Sequence, residues 1–221
     1  FIEENFDQDV GLVVKTFIKN NSVNDRLHVE EMLKDIIKKY PERKCKINLL
    51  HGSLTDEEMH SLYTHPKIKC LISLAHGEGF GLPLFEAAYS GLPVIAPGWS
   101  GHCDFLYAPF QGGKKKSKKE SKHAYFAEVE YTIGPVQEHA IWPGVIEKEA
   151  MWCFPQEGSY KMRLRQVRKN YDKWKKKADT LQKWILENFK EEDMKERFAN
   201  LIFKEDDFDV ENWLGELDIE E

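Results

Sequence analysis

From residue 10 onward the apolar positions fall in short runs separated by polar turns, and each run predicts an element. Val10 to Phe17 (VGLVVKTF) is apolar and rich in β-branched residues, broken near its end by a single lysine. That is the pattern of a buried strand delivering a charge to its tip, and it marks Lys15 as a candidate site residue. Val29, Met32, Leu33, Ile36, Ile37 and Tyr40 then recur at helical spacing and Pro41 closes the segment, which predicts a helix packed on a sheet. Lys46 to Leu50 (KINLL) reads as a second strand. Thr55 with Glu58 three residues on is a capping box, opening a short helix whose apolar side is Met59, Leu62 and Tyr63. Ile68 to Leu74 (IKCLISL) is a third strand, nearly all apolar, as parallel strands covered on both faces are.

Beyond it, Pro83 suits the first position of a helix running to Ser90, and Gly91 suits the position just past its end. Val94 and Ile95 restart a strand. The period fades after Asp104-Phe105-Leu106, through an insertion around Lys114 to Lys122, and a strand is predicted at Tyr125 to Ile133. From Tyr160, the stripe of Leu164, Val167, Tyr171, Trp174, Ala178, Leu181 and Ile185 alternates by threes and fours. It predicts one long helix or two broken ones docked on the sheet, followed by a helix around Met194 to Ile202. Strands alternating with short helices make the expected class α/β, a Rossmann-like doubly wound parallel sheet with C-terminal helices packed on it over residues 1–204. Residues 205–221 read as an acidic C-terminal tail.

Composition narrows the function. The 221 residues are 41% hydrophobic, enough for one globular core. A net charge of -6 disfavours nucleic acid as a partner. The Lys114 to Lys122 cluster reads as a solvated loop, because Gly112, Gly113 and Ser117 interrupt it and no aromatics interleave. No apolar run approaches the roughly 20 residues of a transmembrane segment. FIEENFDQ has neither the basic start nor the apolar stretch of a signal peptide, so the expected location is cytoplasmic. Cys45, Cys70, Cys103 and Cys153 form no paired motif and read as reduced packing residues. No spacing of His, Cys and Asp matches a metal set, and neither a metal nor a cofactor is expected.

The chemistry concentrates in Gly77-Glu78-Gly79-Phe80-Gly81-Leu82-Pro83, between the third strand and a helix start. Alternating glycines let backbone approach a ligand closely, and helix-start amides with their dipole favour an anion such as a pyrophosphate. The dinucleotide fingerprint would need glycine where Leu82 stands, and the Walker pattern is absent from the sequence. Glu78, inside this loop, suits hydrogen bonding to hydroxyl groups. Glu86, expected in the first turn of the helix, suits the dipole there. Hydroxyls at both ends of a diphosphate describe a nucleotide sugar, with Lys15 as countercharge. His76 and His102 flank the loop, and Ser100, Gly101 and Asp104 are expected to shape its far wall. Trp152, Phe154 and Pro155 read as packing, and Ser53 and Leu54 as neighbours of the nucleotide base.

HGEGFGLPLFEAA, followed by GLPVIAP and GHCDFL, resembles the E-x7-E region of retaining GT-B glycosyltransferases, especially the family 4 type, closely from about Val10 to Leu106. The resemblance implies the C-terminal, donor-binding half of a GT-B fold, whose acceptor domain precedes it and is absent from this chain. By the same resemblance Glu78 contacts the transferred sugar and Glu86 the ribose. Gly77, Gly79, Phe80, Gly81 and Leu82 belong to the donor loop, and Lys15 holds the departing diphosphate. Lys19 and Arg26 compete for the role of second basic residue. The implied reaction is transfer from a UDP-, GDP- or ADP-sugar to an unknown acceptor, with retention and no essential metal; the isolated fragment is expected to be inactive. The alternatives are a non-catalytic nucleotide-sugar-binding domain and a GT-B-like nucleotide-sugar epimerase.

Overall fold

A computed structural model describes residues 1–19, 21–109 and 122–202. The expected Lys114 to Lys122 loop, apart from Lys122, and the acidic tail lie outside the described residues. In chain order the elements are α1 (Ile2–Asn5), β1 (Gly11–Thr16), α2 (Val23–Ile37), β2 (Lys46–His51), α3 (Asp56–Thr64), β3 (Leu71–Ile72), α4 (Leu82–Tyr89), β4 (Val94–Pro97), α5 (Cys103–Leu106), β5 (Tyr107–Pro109), β6 (Lys122–Ala124), β7 (Ala127–Val129), β8 (Tyr131–Pro135), β9 (Met151–Pro155), α6 (Glu157–Lys169), α7 (Tyr171–Asn188) and α8 (Glu191–Ile202). The class is mixed α/β with parallel strands. Among the described residues the parallel pairing comes in two pieces, β1 with β2 and the order β3-β4-β7. The single sheet read from the sequence is thus not closed by hydrogen bonds between β1 and β3. The third strand is cut to two residues, because only Leu71 and Ile72 find ladder partners, on Val94 and Ile95.

β4 is the centre of the larger piece, and it is buried throughout. Alternation along it sends Val94 and Ala96 into one apolar cluster with Leu84, Ala87, Ala88, Phe105, Leu181 and Ile185. Ile95 goes into a second with Ala127, Val129, Leu164, Val167 and Trp174. A side-chain period of two is what lets one short strand join two cores. The C-terminal stripe accordingly ends up in two helices rather than one, broken at Asn170, with α6 against β4 and β7 and α7 against α4.

Local signals at the other elements hold in detail. The Thr55 hydroxyl accepts from the Glu58 amide (3.3 Å) while the Glu58 carboxylate accepts from the Thr55 amide (2.9 Å), closing the capping box. Gly91 takes φ +70° just past α4, the left-handed turn that ends helices. The strand expected at Tyr125 to Ile133 divides at Glu130: β7 stays in the parallel sheet, and β8 leaves it to pair antiparallel with β9. β9 is not predicted by the sequence pattern, in which Trp152 and Phe154 read only as packing residues. α1 straps the two pieces together. Glu3 takes the Tyr40 hydroxyl (3.0 Å) and the Lys161 ammonium (2.6 Å), and Glu4 takes the Arg165 guanidinium through two bonds (2.9 and 2.7 Å). All four cysteines are unpaired, and burial pushes the Cys70 thiol up to about 12. No described helix is long and apolar enough to cross a membrane.

Candidate functional site

The glycine-rich loop leaves β3 and ends at Gly81, which caps α4 with φ +87° and contributes no side chain to the cap. A β-carbon at Gly81 would lie 3.1 Å from Cβ of His102 and 3.5 Å from Cβ of Glu78. Glycine is what allows the turn and the close approach at once. Helix-start amides without a side-chain cap are an anion-binding arrangement. Leu82 stands exposed at the first helical position, so Pro83 is the second rather than the first. Phe80 anchors the loop from below, its ring centred 5.3 Å from that of Phe85 and 5.0 Å from that of Phe105.

The far wall is Ser100 to His102. Ser100 sits at φ +79°, the one described residue other than glycine in the left-handed region. Such a conformation persists where surrounding bonds over-determine it, and Ser100 has them. Its hydroxyl accepts from the Glu78 amide (3.0 Å) and donates to the Glu78 carbonyl (2.6 Å), while the Gly101 amide donates to the same carbonyl (3.1 Å). A β-carbon on Gly101 would overlap the Gly79 carbonyl. Three backbone-level contacts therefore fix Glu78, leaving its carboxylate as the part free to vary. His102 is buried, with Nε2 bonded to the Pro97 carbonyl (2.7 Å) and Nδ1 without a partner.

His76 begins the loop and is immobilised. Its Nδ1 donates to the Cys153 carbonyl (2.7 Å), its ring stacks on Trp152 at 4.8 Å and 11°, and Phe154 meets it edge-on at 4.9 Å. Trp152 and Phe154 thus pack on a loop residue, through a strand that sequence periodicity did not reveal.

Glu86 differs from expectation. It lies in the second turn of α4, and the first turn carries no acid. Its carboxylate accepts from the Tyr63 hydroxyl of α3 (3.2 Å), and both line a groove of about 310 Å³ with Asp56, Met59, His60 and Phe85. Burial, and then the nearby Glu86 charge, raise the Tyr63 hydroxyl well above its ordinary value, so it remains a donor. The sequence pattern marks Tyr63 only as an apolar position; its spacing carries no hint of the hydroxyl's partner.

The basic candidates sit on the smaller piece. Lys15 stands opposite Leu50 near the carboxyl end of β1, its ammonium 5.5 Å from the Phe17 ring centre. Lys19 follows in the β1–α2 turn, which Asp25 organises. That carboxylate accepts from the Ile18 and Lys19 amides (3.0 Å each) and bonds His51 Nε2 (2.8 Å). The His51 bond above all, then the two amides, hold the Asp25 carboxyl below its ordinary range. Arg26 instead turns along α2 to Glu30 (3.3 Å). The structure gathers Glu78, the glycines, Leu82 and Ser100 to His102 at one place. Among the described residues no hydrogen bond or ion pair joins Lys15, Lys19 or Arg26 to Glu78 or Glu86. Also among them, no three His, Cys, Asp or Glu side chains form a metal set.

Comparison with known proteins points the same way as the loop. Residues 27–125 match the family model described as Glycosyl transferases group 1. Over 90 residues, 41% of this chain, the sequence is 31% identical to an MMP alpha-(1->4)-mannosyltransferase of Mycolicibacterium hassiacum. The aligned part spans 19% of that protein's length.

Proposed function

We propose that this chain binds a nucleotide sugar as the donor half of a retaining, GT-B-type glycosyltransferase of the family 4 kind, with the acceptor-binding half in a separate domain outside these 221 residues. The observation that carries the reading is the loop from Gly77 to Leu82. It is pinned by Ser100 and Gly101, opens α4 without a side-chain cap, and lies inside the segment that matches the group 1 family model.

In this reading the diphosphate lies over the α4 start, where the amides from Gly79 to Leu82 and the helix dipole oppose its charge. Glu78 accepts from sugar hydroxyls and Glu86, steadied by Tyr63, from the ribose. Lys15 and a second cation neutralise the charge that accumulates on the diphosphate as the sugar departs, which lowers the barrier by electrostatic preorganisation. Lys19 suits the second position better than Arg26, because Asp25 holds its backbone in the turn after β1 whereas Arg26 is engaged with Glu30. In this reading the leaving phosphate takes the acceptor's proton. The proposed setting is cytoplasmic, and no metal or further cofactor is needed for these steps.

The test is calorimetric titration of the chain with UDP, GDP and ADP, repeated with Glu86→Ala and Lys15→Ala. Removing a charged hydrogen-bond partner costs about 1.5–3 kcal/mol, so one nucleotide should bind and each variant should weaken it by about tenfold or more. Absence of binding for all three, together with no diphosphate release by the full-length protein, refutes the reading.

A further inference from the structure

A second cluster of chemistry lies at the elbow of the C-terminal helices, and none of its residues belongs to the glycine loop. Arg163 and Gln166 of α6, Asn170 at the break, and Lys173, Trp174 and Lys177 of α7 line a cleft of about 370 Å³. That volume is at the lower end for small-molecule sites. Its position follows from β7, which ends the order β3-β4-β7. Arg163 Nε donates to the Glu128 carbonyl of β7 (2.6 Å), and Lys177 Nζ donates to the Ala124 carbonyl just before it (3.1 Å). At about 4.8 Å between strands, β7 stands two strand spacings from β3 and the loop that follows it.

The cleft is electrically one-sided. Three cations line it and no carboxylate does, and among the described residues no ion pair joins Arg163, Lys173 or Lys177 to an acid. Burial first, then the charges of Lys173 and Arg163, press the Lys177 ammonium below its ordinary value; an anion in the cleft would offset both repulsions. The side chains are already oriented. Arg163 Nη1 donates to Gln166 Oε1 (2.9 Å), which leaves the Gln166 amide nitrogen to donate elsewhere, and Lys177 lies 5.0 Å over the buried Trp174 ring.

We propose that this cleft binds the phosphate of a small phosphorylated molecule, held by Arg163, Lys173 and Lys177, with the amides of Gln166 and Asn170 available to its hydroxyls. A phosphate monoester matches three converging cations better than a neutral sugar does. The same chemistry is offered by a soluble sugar phosphate and by the phosphomonoester headgroup of phosphatidic acid, and the two are separable by experiment.

The full chain is titrated with glucose 6-phosphate, with glucose as the uncharged control, and sedimented with phosphatidylcholine vesicles containing or lacking phosphatidic acid. Lys173→Glu is the main variant, because Lys173 is exposed and its replacement leaves the core untouched. Arg163→Gln is the second, with thermal melting of both as a check on folding. Each variant should weaken glucose 6-phosphate binding by about tenfold or more, the effect of losing a charged hydrogen-bond partner. Glu78→Ala should leave it unchanged, which separates this cleft from the donor loop. Binding confined to phosphatidic acid vesicles and lost in Lys173→Glu assigns the site to a lipid headgroup. Absence of binding to both, or binding indifferent to Lys173→Glu and Arg163→Gln in folded protein, overturns the proposal.

Discussion

The two parallel pieces of this molecule begin from similar apolar runs and end in different environments. In the β3-β4-β7 piece, helices cover both faces: Ile95, Ala96, Phe105 and Ala127 are fully buried, and α4, α6 and α7 all pack there. In the β1-β2 piece Val13 keeps 37% of its surface exposed, and Met32 and Ile36 of α2 keep about half, 52% and 51%. The run VGLVVKTF is as apolar as LPVIAP, so hydrophobicity alone does not decide burial; what decides it is the number of layers that pack on the strand. The proposed site inherits the contrast. Its glycine loop rests on the doubly covered piece, while Lys15 and Lys19 stand on the thinner one, which the α1 ion pairs and the Asp25–His51 bond tie in place.

The largest effect expected of this contrast is the gap between equivalent truncations. Ile95→Ala empties a fully buried site on β4 and should cost about 2–5 kcal/mol. Ile36→Ala, the same truncation on α2 where 51% of the residue's surface is exposed, should cost less than about 1 kcal/mol. Urea denaturation of both variants measures the difference, and equal losses would break the comparison. Next in size is Gly101→Ala, whose β-carbon meets the Gly79 carbonyl. It should lose about 1–3 kcal/mol through overpacking and weaken nucleotide binding as the loop shifts. Gly158→Ala, near the start of α6 with nothing within 4 Å of the added carbon, is its counterpart and should gain up to about 1 kcal/mol.

How much of this was legible depended on whether the determinant was local. The capping box at Thr55 and Glu58, the turn at Gly91 and the helix after Gly81 are set by residues within four positions of one another, and the sequence displays them. The loop itself was legible for the same reason. The extent of β3 was not, because Ile68 to Leu74 carries the strand pattern over its length but only two residues have ladder partners on β4. Strand β9, the Tyr63 bond to Glu86 and the His76 stack on Trp152 join residues far apart in sequence, 23 and 76 positions for the latter two, and periodicity contains no term for such pairs. Glu86 falls in the second turn because α4 begins one residue earlier than the sequence predicts, with Gly81 rather than Leu82 as the cap.

A smaller effect concerns the tie at Asp25. Its carboxyl is held below the ordinary value of 3.8, chiefly by His51. The stabilisation is therefore complete above that ordinary value and is lost as pH falls through the lowered one. Wild type should exceed Asp25→Asn in stability at pH 6, and the gap should close between about pH 5 and pH 2. Urea midpoints across that range test it; a gap constant with pH would show that the carboxylate charge is not what holds the turn.

The smallest effect is the most pointed. Met32 lies on α2 with 52% of its surface exposed, one turn before the equally open Ile36. If that face is as open in solution as its exposure indicates, Met32→Ser changes stability by no more than about 0.5 kcal/mol, the ordinary range for a surface substitution. Denaturation at two protein concentrations tenfold apart sharpens the measurement. A loss well above that figure at both concentrations would mean that the chain itself covers α2 and that the thin piece is not thin. A loss that appears only at the higher concentration would mean that a second copy covers it. Only a near-zero change at both leaves the contrast intact, with β1 and α2 carrying their basic residues on a layer packed from one side.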